Sequence, residues 1–136
     1  MMSRENVEVV RRFYAIGNRP LEELTDDLLS AFFDPEVEWV PIPQGVLGGN
    51  KYVGFEGLRR FWTDFIGAWD ELAVEPQEFL EAGDLVVGVA RMKGRMHELE
   101  IDEVWSALFT LRNERIVRVQ AFASQDGALE AAGLRE

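Results

Sequence analysis

The sequence predicts an α+β fold, with helices in the first half of the chain and an antiparallel sheet in the second. Up to residue 69, apolar residues recur mostly at helical spacing, whereas the chain from residue 72 onward consists of alternating and β-branched runs. Short reversals separate these later runs, and strands joined by tight turns pair in antiparallel fashion. We expect residues 1–136 to form a single domain, because this length suffices for one hydrophobic core.

The first half of the chain predicts three helices and one short strand. Ser3 is a favourable N-cap for the first helix. The second helix is expected to stop at Asp34-Pro35, because the residue before proline is disfavoured in the helical region. The third helix carries a wide apolar stripe, which predicts that it is buried along one side. The predicted bounds are 3–17, 21–33 and 56–69 for the helices and 37–40 for the strand.

The second half predicts four strands and a short C-terminal helix. The strands are separated by the pairs Gly83-Asp84, Gly94-Arg95 and Asn113-Glu114, which are typical of turns. Such a meander gives the three helices one sheet face to cover. The predicted bounds are 72–80, 85–93, 97–112 and 115–124 for the strands and 126–132 for the helix.

A two-residue turn at Gly94-Arg95 would put the even residues of 86–92 on the same side as the odd residues of 97–111. In this register Ala90 pairs with Leu99 and Gly88 with Ile101. Small residues in the middle of a sheet admit either a closely packed helix or a ligand. We expect this side to face the helices around a cavity.

The last strand has two possible registers. A strict two-residue turn at Asn113-Glu114 would point Arg118 and Gln120 inward. One extra loop residue would instead turn a set of small side chains inward. We favour the second register, because burying an unpaired arginine is costly. The inward set would then be Val117, Val119, Ala121 and Ala123.

The opposite face of the sheet is apolar at its centre and charged at its ends. This pattern predicts a homodimer that forms through this face, with a charged rim. A partly exposed antiparallel sheet is the alternative. The apolar centre comprises Leu85, Val87, Val89, Val104 and Leu108, and the rim comprises Arg91, Glu98, Glu100 and Asp102.

Composition excludes several classes of partner. The chain has 25 acidic against 14 basic residues, and a net charge of −11 disfavours nucleic acid. No apolar run is long enough for a membrane span, and the N-terminus lacks a signal-like stretch, so no membrane partner and a cytoplasmic location are expected. With no cysteine and one histidine, thiolate and multi-histidine metal sites are excluded. We therefore expect no metal and no cofactor.

In this order, the helices, the segments DPEVEWV and YVGFEGLRRFW, and a meander ending in VQAF and ALEAAGL resemble the nuclear transport factor 2-like superfamily. The resemblance is greatest to its SnoaL-like group, which includes polyketide cyclases and is related to ketosteroid isomerase. It implies a cone-shaped, curved antiparallel sheet wrapped by three helices, the cystatin-like or SnoaL-like α+β barrel. It also implies an apolar pocket at the open end and homodimers through the convex sheet face.

The resemblance does not carry over the chemistry of ketosteroid isomerase. That chemistry uses an aspartate base on the first strand, and a tyrosine on the first helix with a protonated aspartate on the long strand as donors. The corresponding positions here are Trp39, Phe13 and Ala107, although Tyr14 follows Phe13 directly. Apolar groups have replaced the base and both donors, so enolisation at these positions is not expected.

Three polar residues are candidates for catalysis. Glu103 lies between Ile101 and Trp105 on the inferred inner face, where apolar surroundings would raise its pKa toward values useful for proton transfer. A bulge that turns Glu103 away, or an arginine partner at the rim, is the alternative. His97 is a candidate acid or base, although its place at a strand end favours solvent exposure. The hydroxyl of Tyr14 would either meet a ligand or find a backbone partner.

We expect the chain to bind a small apolar or polycyclic molecule. As an enzyme it would catalyse a cofactor-free isomerisation, cyclisation, dehydration or epoxide opening, with Glu103 as acid or base. The rival hypothesis is a non-catalytic ligand-binding or interaction module. Residues 41–50, PIPQGVLGGN, are expected to form a lid, with Gln44 and Val46 within reach of the ligand. The expected pocket walls, besides Tyr14 and Glu103, are Phe13, Trp39, Val86, Gly88, Ala90, Trp105, Ala107 and Val119.

Overall fold

A computed structural model describes residues 2–16, 21–41 and 51–133 and confirms the α+β class. The described chain contains helices α1 (Met2–Ile16), α2 (Asp26–Ser30), α3 (Gly54–Gly67) and α4 (Gly127–Ala131), and a 3₁₀ turn at Leu21–Glu23. Its strands are β1 (Phe33–Val40), β2 (Tyr52–Val53), β3 (Glu71–Ala82), β4 (Leu85–Met96), β5 (Leu99–Arg112) and β6 (Arg115–Phe122). None of the described helices is long and apolar enough to cross a membrane.

The strands form one curved six-stranded sheet in the order β2-β1-β6-β5-β4-β3. The predicted meander from β3 to β6 is confirmed, and every pair in it is antiparallel. β1 extends the sheet by pairing in parallel with β6, and β2 pairs with β1 at the edge. These two pairings were not predicted, because they join segments that are distant in sequence or only two residues long.

The second helix, predicted over 21–33, is wrong at both ends, because α2 spans only Asp26–Ser30 and a 3₁₀ turn at Leu21–Glu23 precedes it. Thr25 caps α2 by accepting a hydrogen bond from the Leu28 N–H at 3.2 Å, but α2 ends at Ser30. Phe33 already belongs to β1, where it is 1% exposed and pairs with Ile116. Pairing within the sheet has therefore overridden helical periodicity. Asp34-Pro35 lies in β1 at a shift of register, a position where a strand tolerates proline.

The turn between β4 and β5 lies at His97-Glu98 and not at Gly94-Arg95. His97 adopts a positive φ of 59°, as a tight turn requires. Gly94 instead lies within β4, where an added Cβ would collide with the backbone of Glu71 on β3. The observed register pairs Ala90 with Trp105.

The shift of the turn leaves each residue of β5 on the predicted side of the sheet, but it changes which residue of β4 is its partner. Even residues of 86–92 share one side with odd residues of 105–111, and this side faces α1 and α3; we call it the inner face. Leu99, Ile101 and Glu103 pair with the C-terminal end of β4, and Leu99 is 64% exposed there. The prediction that residues 97–103 face the helices is therefore wrong for Leu99, His97 and Glu103.

The last strand combines the two predicted registers. A two-residue turn at Asn113-Glu114 pairs Arg112 with Arg115. A bulge near Val117 then exchanges the sides of the sheet on which the odd and even residues of β6 lie. Beyond the bulge, Val119 pairs with Phe109 and Ala121 with Ala107, so both follow the inner face as expected. Val117 is the bulged residue itself, and Ala123 lies exposed beyond β6, so neither belongs to the inward set.

The other side of the sheet, the outer face, is covered at its centre by α4. Ala128 and Leu129 of α4 are 0% and 5% exposed and pack with the outer-face residues Val87, Val89 and Leu108. The apolar patch that predicted a dimer interface is thus largely covered within the chain. The apolar patch therefore no longer supports a dimer interface, and the position of α4 could not be predicted from the sequence.

Candidate functional site

A cavity of about 180 Å³ lies between the inner face and helices α1 and α3. Its wall draws on both helices and on five of the six strands, so it is formed by the whole layered fold. The predicted cavity is present, and indole and phenyl groups do not fill it completely. Nine aromatic side chains line it: Phe13, Tyr14, Trp39, Phe61, Trp62, Phe65, Trp69, Trp105 and Phe109.

Ring-to-ring contacts hold the wall in place. Trp39 packs on Phe61 with a centroid distance of 4.6 Å, and Phe61 stacks on Phe65 at 5.3 Å. Phe65 in turn contacts Trp69, which lies 6.4 Å from Trp105. Each such pair contributes about 0.5–1.5 kcal/mol beyond area burial. The wall is therefore a connected set of rings that keeps its shape around the empty space.

Gly88 determines where Tyr14 lies. A Cβ at position 88 would come within 2.8 Å of the Tyr14 hydroxyl, so the absence of a side chain lets this ring pack onto β4. The ring also contacts Phe79 and Phe109, at 5.4 and 5.9 Å between centroids. Burial raises the pKa of Tyr14, so its hydroxyl keeps its proton and remains a donor. None of the described residues hydrogen-bonds to that hydroxyl.

The four indoles of the wall differ in how their N–H groups are used. Trp105 Nε1 donates to Glu103 Oε1 at 2.8 Å. The Nε1 atoms of Trp39, Trp62 and Trp69 are buried and have no acceptor among the described residues. Buried donors without a partner are rare in native proteins. These three nitrogens are sealed inside the packing, although the rings that carry them line the cavity.

Glu103 does not lie in the buried surroundings that the sequence suggested. Its side chain is exposed, and of the cavity wall it contacts Trp105 through the hydrogen bond described above. The register shift in β4 and β5 explains this, because Glu103 pairs with Met92 in the half of the hairpin next to the turn and not with Val86 at its other end. His97 is exposed in the turn itself, outside the cavity wall.

Five of the eight expected pocket walls line the cavity: Phe13, Trp39, Ala90, Trp105 and Ala107. The other three do not. Val86 and Val119 are 0% exposed within the packed core, and Gly88 lies beneath the Tyr14 ring. Phe13, Trp39 and Ala107, which the resemblance sets against the donors and base of ketosteroid isomerase, all line the cavity with apolar groups. Gln44 and Val46 lie outside the described residues.

The sequence missed several lining residues, and the largest group of them lies on or just after α3. The apolar stripe of this helix was interpreted as core, but Phe61, Phe65 and the nearby Trp69 line the cavity. Met92 and Met96 line it because β4 continues past the predicted turn. The width of the apolar stripe on α3 was the feature of the sequence that could have indicated these lining residues, since a helix that only covers a sheet needs a narrower apolar stripe.

The cavity wall bears no charged side chain in the part of the chain that the structure describes. Ser106 is among the lining residues, but its side chain lies on the outer face, where its hydroxyl donates to the Ser124 carbonyl at 2.7 Å and accepts from the Ala128 N–H at 3.0 Å. Among the described residues, no group of three or more acidic, histidine or cysteine side chains is placed to hold a metal ion. The Tyr14 hydroxyl, which can both donate and accept a hydrogen bond, is thus the free polar side-chain group among the described residues of an otherwise apolar wall.

Comparison with protein families gives one match. The model of the SnoaL-like domain matches residues 10–119, which include the second half of α1, α2, α3 and all the strands except the end of β6. Among curated proteins, no sequence matches the chain.

Solved structures share the fold at low sequence identity. TerC, co-crystallised with polyporic acid, is 23% identical, with a TM-score of 0.72 over 95% of this chain and 98% of TerC. A nuclear transport factor 2-like protein from Burkholderia xenovorans LB400 is 21% identical, with a TM-score of 0.74 over 96% and 97% of the two chains. A protein from Catenulispora acidiphila with a ketosteroid isomerase-like fold, in complex with trimethylamine, is 19% identical, with a TM-score of 0.70 over 94% of each chain.

Proposed function

The chain belongs to the SnoaL-like domain family, as its sequence predicts, and we propose that it binds a small, largely apolar molecule in the cavity between the inner face and helices α1 and α3. The observation that carries this proposal is the volume of about 180 Å³ that remains inside a wall of nine aromatic side chains. An apolar cavity of about 150 Å³ suffices to bind benzene. The cavity therefore suits a molecule of one or two rings better than a larger polycyclic one.

Two of the similar structures support a small-molecule role for this fold. TerC was co-crystallised with polyporic acid, and the Catenulispora protein forms a complex with trimethylamine. Both are less than 25% identical to this chain, so they support the kind of function and not the identity of the ligand.

Calorimetric titration with indane, a compact two-ring hydrocarbon, tests the proposal. We expect saturable binding to the native chain and none to Ala90→Leu, because Ala90 is 4% exposed and a larger side chain there would occupy the cavity. Ala73→Leu, on the exposed side of β3, is the matched control and should bind as the native chain does. Equal binding by Ala90→Leu and the native chain would contradict the proposal.

A catalytic role is the second candidate, and the hydrogen bond between Trp105 and Glu103 favours it. This bond holds a carboxylate directly against a residue of the cavity wall. Glu103 would then act as the acid or base for a proton transfer at the cavity mouth, without a cofactor. Its exposure favours the rival, a non-catalytic ligand-binding or interaction module.

Deuterium exchange at the α-carbon of 1-indanone distinguishes the two roles. A catalytic Glu103 predicts that the native chain accelerates this exchange and that Glu103→Gln is slower by at least about 100-fold. Glu100→Gln, an exposed carboxylate on the same strand, is the control and should keep the native rate. The non-catalytic role predicts no acceleration by either protein.

The homodimer through the outer face also remains a proposal, and α4 changes its expected interface. Because α4 already covers Val87 and Val89, a second copy would have to contact α4 itself and the charged residues beside it. Sedimentation equilibrium of the native chain, of Ala131→Glu on the exposed side of α4 and of Ala15→Glu on α1 tests this. Weaker association in Ala131→Glu alone would support the proposed interface, and a native monomer would contradict it.

A further inference from the structure

The hydroxyl of Tyr14 is an unpaired polar group in a cavity wall that is otherwise apolar. Tyr14 lines the cavity, and no described residue hydrogen-bonds to its hydroxyl. Within the described chain, the sealed side-chain atoms without a partner are the three indole nitrogens, and the Tyr14 oxygen is not one of them. This hydroxyl is therefore both unpaired and open to the cavity. Because a buried tyrosine hydroxyl usually finds a partner, the partner here is expected to come from a ligand.

Gly88 positions this hydroxyl because it has no side chain. A Cβ at position 88 would lie 2.8 Å from the Tyr14 oxygen and 2.9 Å from its Cε2 atom, so the end of the ring rests on the backbone of β4. Phe79 and Phe109 pack against the same ring, at 5.4 and 5.9 Å between centroids. Gly88 pairs with Ala107, whose short side chain lines the cavity. The hydroxyl is thus held beside space that small residues leave open.

The surroundings of the hydroxyl favour a neutral partner. Burial, and not a neighbouring charge, raises the pKa of Tyr14, so its hydroxyl is uncharged at neutral pH. No charged side chain lines the cavity in the described ranges, so an ion beside the hydroxyl would lose its hydration without a counter-charge. A neutral hydroxyl both donates and accepts hydrogen bonds. It can therefore pair either with a carbonyl oxygen or with an alcohol.

The other polar side chains of the wall are not available to a ligand. The Trp105 N–H already donates to Glu103, and the nitrogens of the other three indoles are sealed inside the packing. The Ser106 hydroxyl lies on the outer face and has both of its partners there. A second polar group on the ligand would therefore lose its hydration without gaining a side-chain partner among the described residues. The wall suits a ligand with a single polar atom.

We propose that the cavity selects a neutral ketone or alcohol of one or two rings with a single oxygen, and that Tyr14 determines this specificity by hydrogen-bonding to that oxygen. Gly88 is the positioning residue, because it lets the Tyr14 ring lie on β4. The inference rests on the proposed function, because it assigns the class of molecule that the same cavity binds. It adds a defined place for the oxygen of the ligand, next to the pair Gly88 and Ala107.

Calorimetric titration with indane, 1-indanone and 1-indanol tests the role of the hydroxyl, because the three probes share a ring skeleton and the last two add one oxygen. Tyr14→Phe keeps the ring and removes the partner of that oxygen. We expect it to weaken the binding of 1-indanone and 1-indanol by about tenfold, and that of indane by less than about twofold. Tyr52→Phe is the matched control, because Tyr52 lies outside the cavity wall and its hydroxyl donates to Asp64 at 3.0 Å. It should keep all three native affinities.

Two further measurements test the position of the hydroxyl. Gly88→Ala should lower the affinity for 1-indanone relative to indane, because the added methyl group displaces the Tyr14 ring. Gly67→Ala, with open space around position 67, is the control and should keep the native ratio of affinities. The infrared carbonyl stretch of 1-indanone bound to the native chain should lie at a lower frequency than in an alkane solvent, because the carbonyl accepts a hydrogen bond. In Tyr14→Phe this frequency should return toward the alkane value.

The outcomes separate this inference from the proposed function. Equal weakening of all three probes by Tyr14→Phe would overturn the inference, because the hydroxyl would then only shape the cavity. Unchanged affinities in this variant, or an alkane-like carbonyl stretch on the native chain, would also overturn it and leave cavity binding in place. An unchanged ratio in Gly88→Ala would overturn the positioning role of Gly88. Absence of binding of all three probes to the native chain would remove both proposals. The infrared measurement on the native chain does not depend on whether any variant folds.

Discussion

The two faces of the sheet both bury apolar side chains, but only one of them is complete. On the outer face, α4 packs against Val87 and Val89, and the buried Ser106 hydroxyl has both a donor and an acceptor partner. On the inner face, a cavity of about 180 Å³ remains, and three indole N–H groups lack acceptors among the described residues. Apolar character therefore does not distinguish a packed surface from a binding site. Unfilled volume does.

The strongest test of this comparison removes a large side chain from each face. Leu129→Ala on α4 should lower the free energy of unfolding by about 2–5 kcal/mol, because Leu129 is 5% exposed in a filled cluster. Met92→Ala should cost less, because Met92 lines the cavity and already lacks some packing partners. Denaturant unfolding of both variants measures the difference. An equal or larger loss in Met92→Ala would show that the inner face is packed as tightly as the outer face.

Removing the Ser106 hydroxyl should have the next largest effect. Ser106→Ala leaves the Ala128 N–H and the Ser124 carbonyl without their partner, at a cost of about 1–3 kcal/mol in the free energy of unfolding. Ser30→Ala is the control, because Ser30 is exposed and its hydroxyl donates to the Asp27 carbonyl at a helix end. Its effect should stay within about 0.5 kcal/mol. If Ser106→Ala left the free energy of unfolding unchanged, the packing of α4 would not depend on these two hydrogen bonds.

A methyl group added at Gly88 tests how tightly the inner face is packed where the Tyr14 ring lies on β4. Gly88→Ala should lower the free energy of unfolding by about 1–2 kcal/mol, because the new Cβ would displace the Tyr14 ring. Gly67→Ala in α3 has open space around it and should be neutral or stabilising by up to about 1 kcal/mol. If both variants behaved alike, Tyr14 would be free to move, and the cavity would extend toward Gly88.

The sequence predicted most of the fold, because local patterns define most of its elements. The helical stripes of α1 and α3 and the alternation in β3 to β6 are visible without any structure. Two errors have a common cause. The bound of α2 and the turn between β4 and β5 are decided by pairing with distant strands, through Phe33 with Ile116 and through the approach of Gly94 to β3. Such contacts join residues that are far apart in the chain, so a local sequence pattern cannot predict them.

The candidate site was less predictable than the fold. The alternation of side chains along the strands correctly predicted that Ala90, Trp105 and Ala107 lie on one wall. A change of register by an even number of residues leaves each side chain on the same side of the sheet. The same change of register moves each residue to a different position along the sheet, which changes its burial. Glu103 was therefore expected in the interior, but it lies exposed. The unpaired indoles were not foreseeable, since hydrogen-bond satisfaction depends on neighbours from three different elements.

The smallest expected effect concerns the part of the outer face that α4 leaves exposed. Arg91 donates two hydrogen bonds of 2.7 Å to the Asp102 carboxylate, which holds the pKa of Asp102 below its usual value of 3.8. A carboxyl whose pKa is lowered in the folded state contributes stability above its unfolded pKa, and this is lost as the pH falls through the folded pKa.

Arg91→Gln should therefore return the pKa of Asp102 toward 3.8, as measured by ¹³C NMR, and slightly reduce stability at neutral pH compared with strongly acidic pH. Arg95→Gln, which breaks the ion pair with Glu71, is the control and should leave Asp102 unchanged. Because this pair faces solvent in the single chain, its titration should not depend on protein concentration. A dependence on concentration would mean that a second copy covers the outer face, and the contrast between a complete outer face and an incomplete inner face would then hold only for the isolated chain.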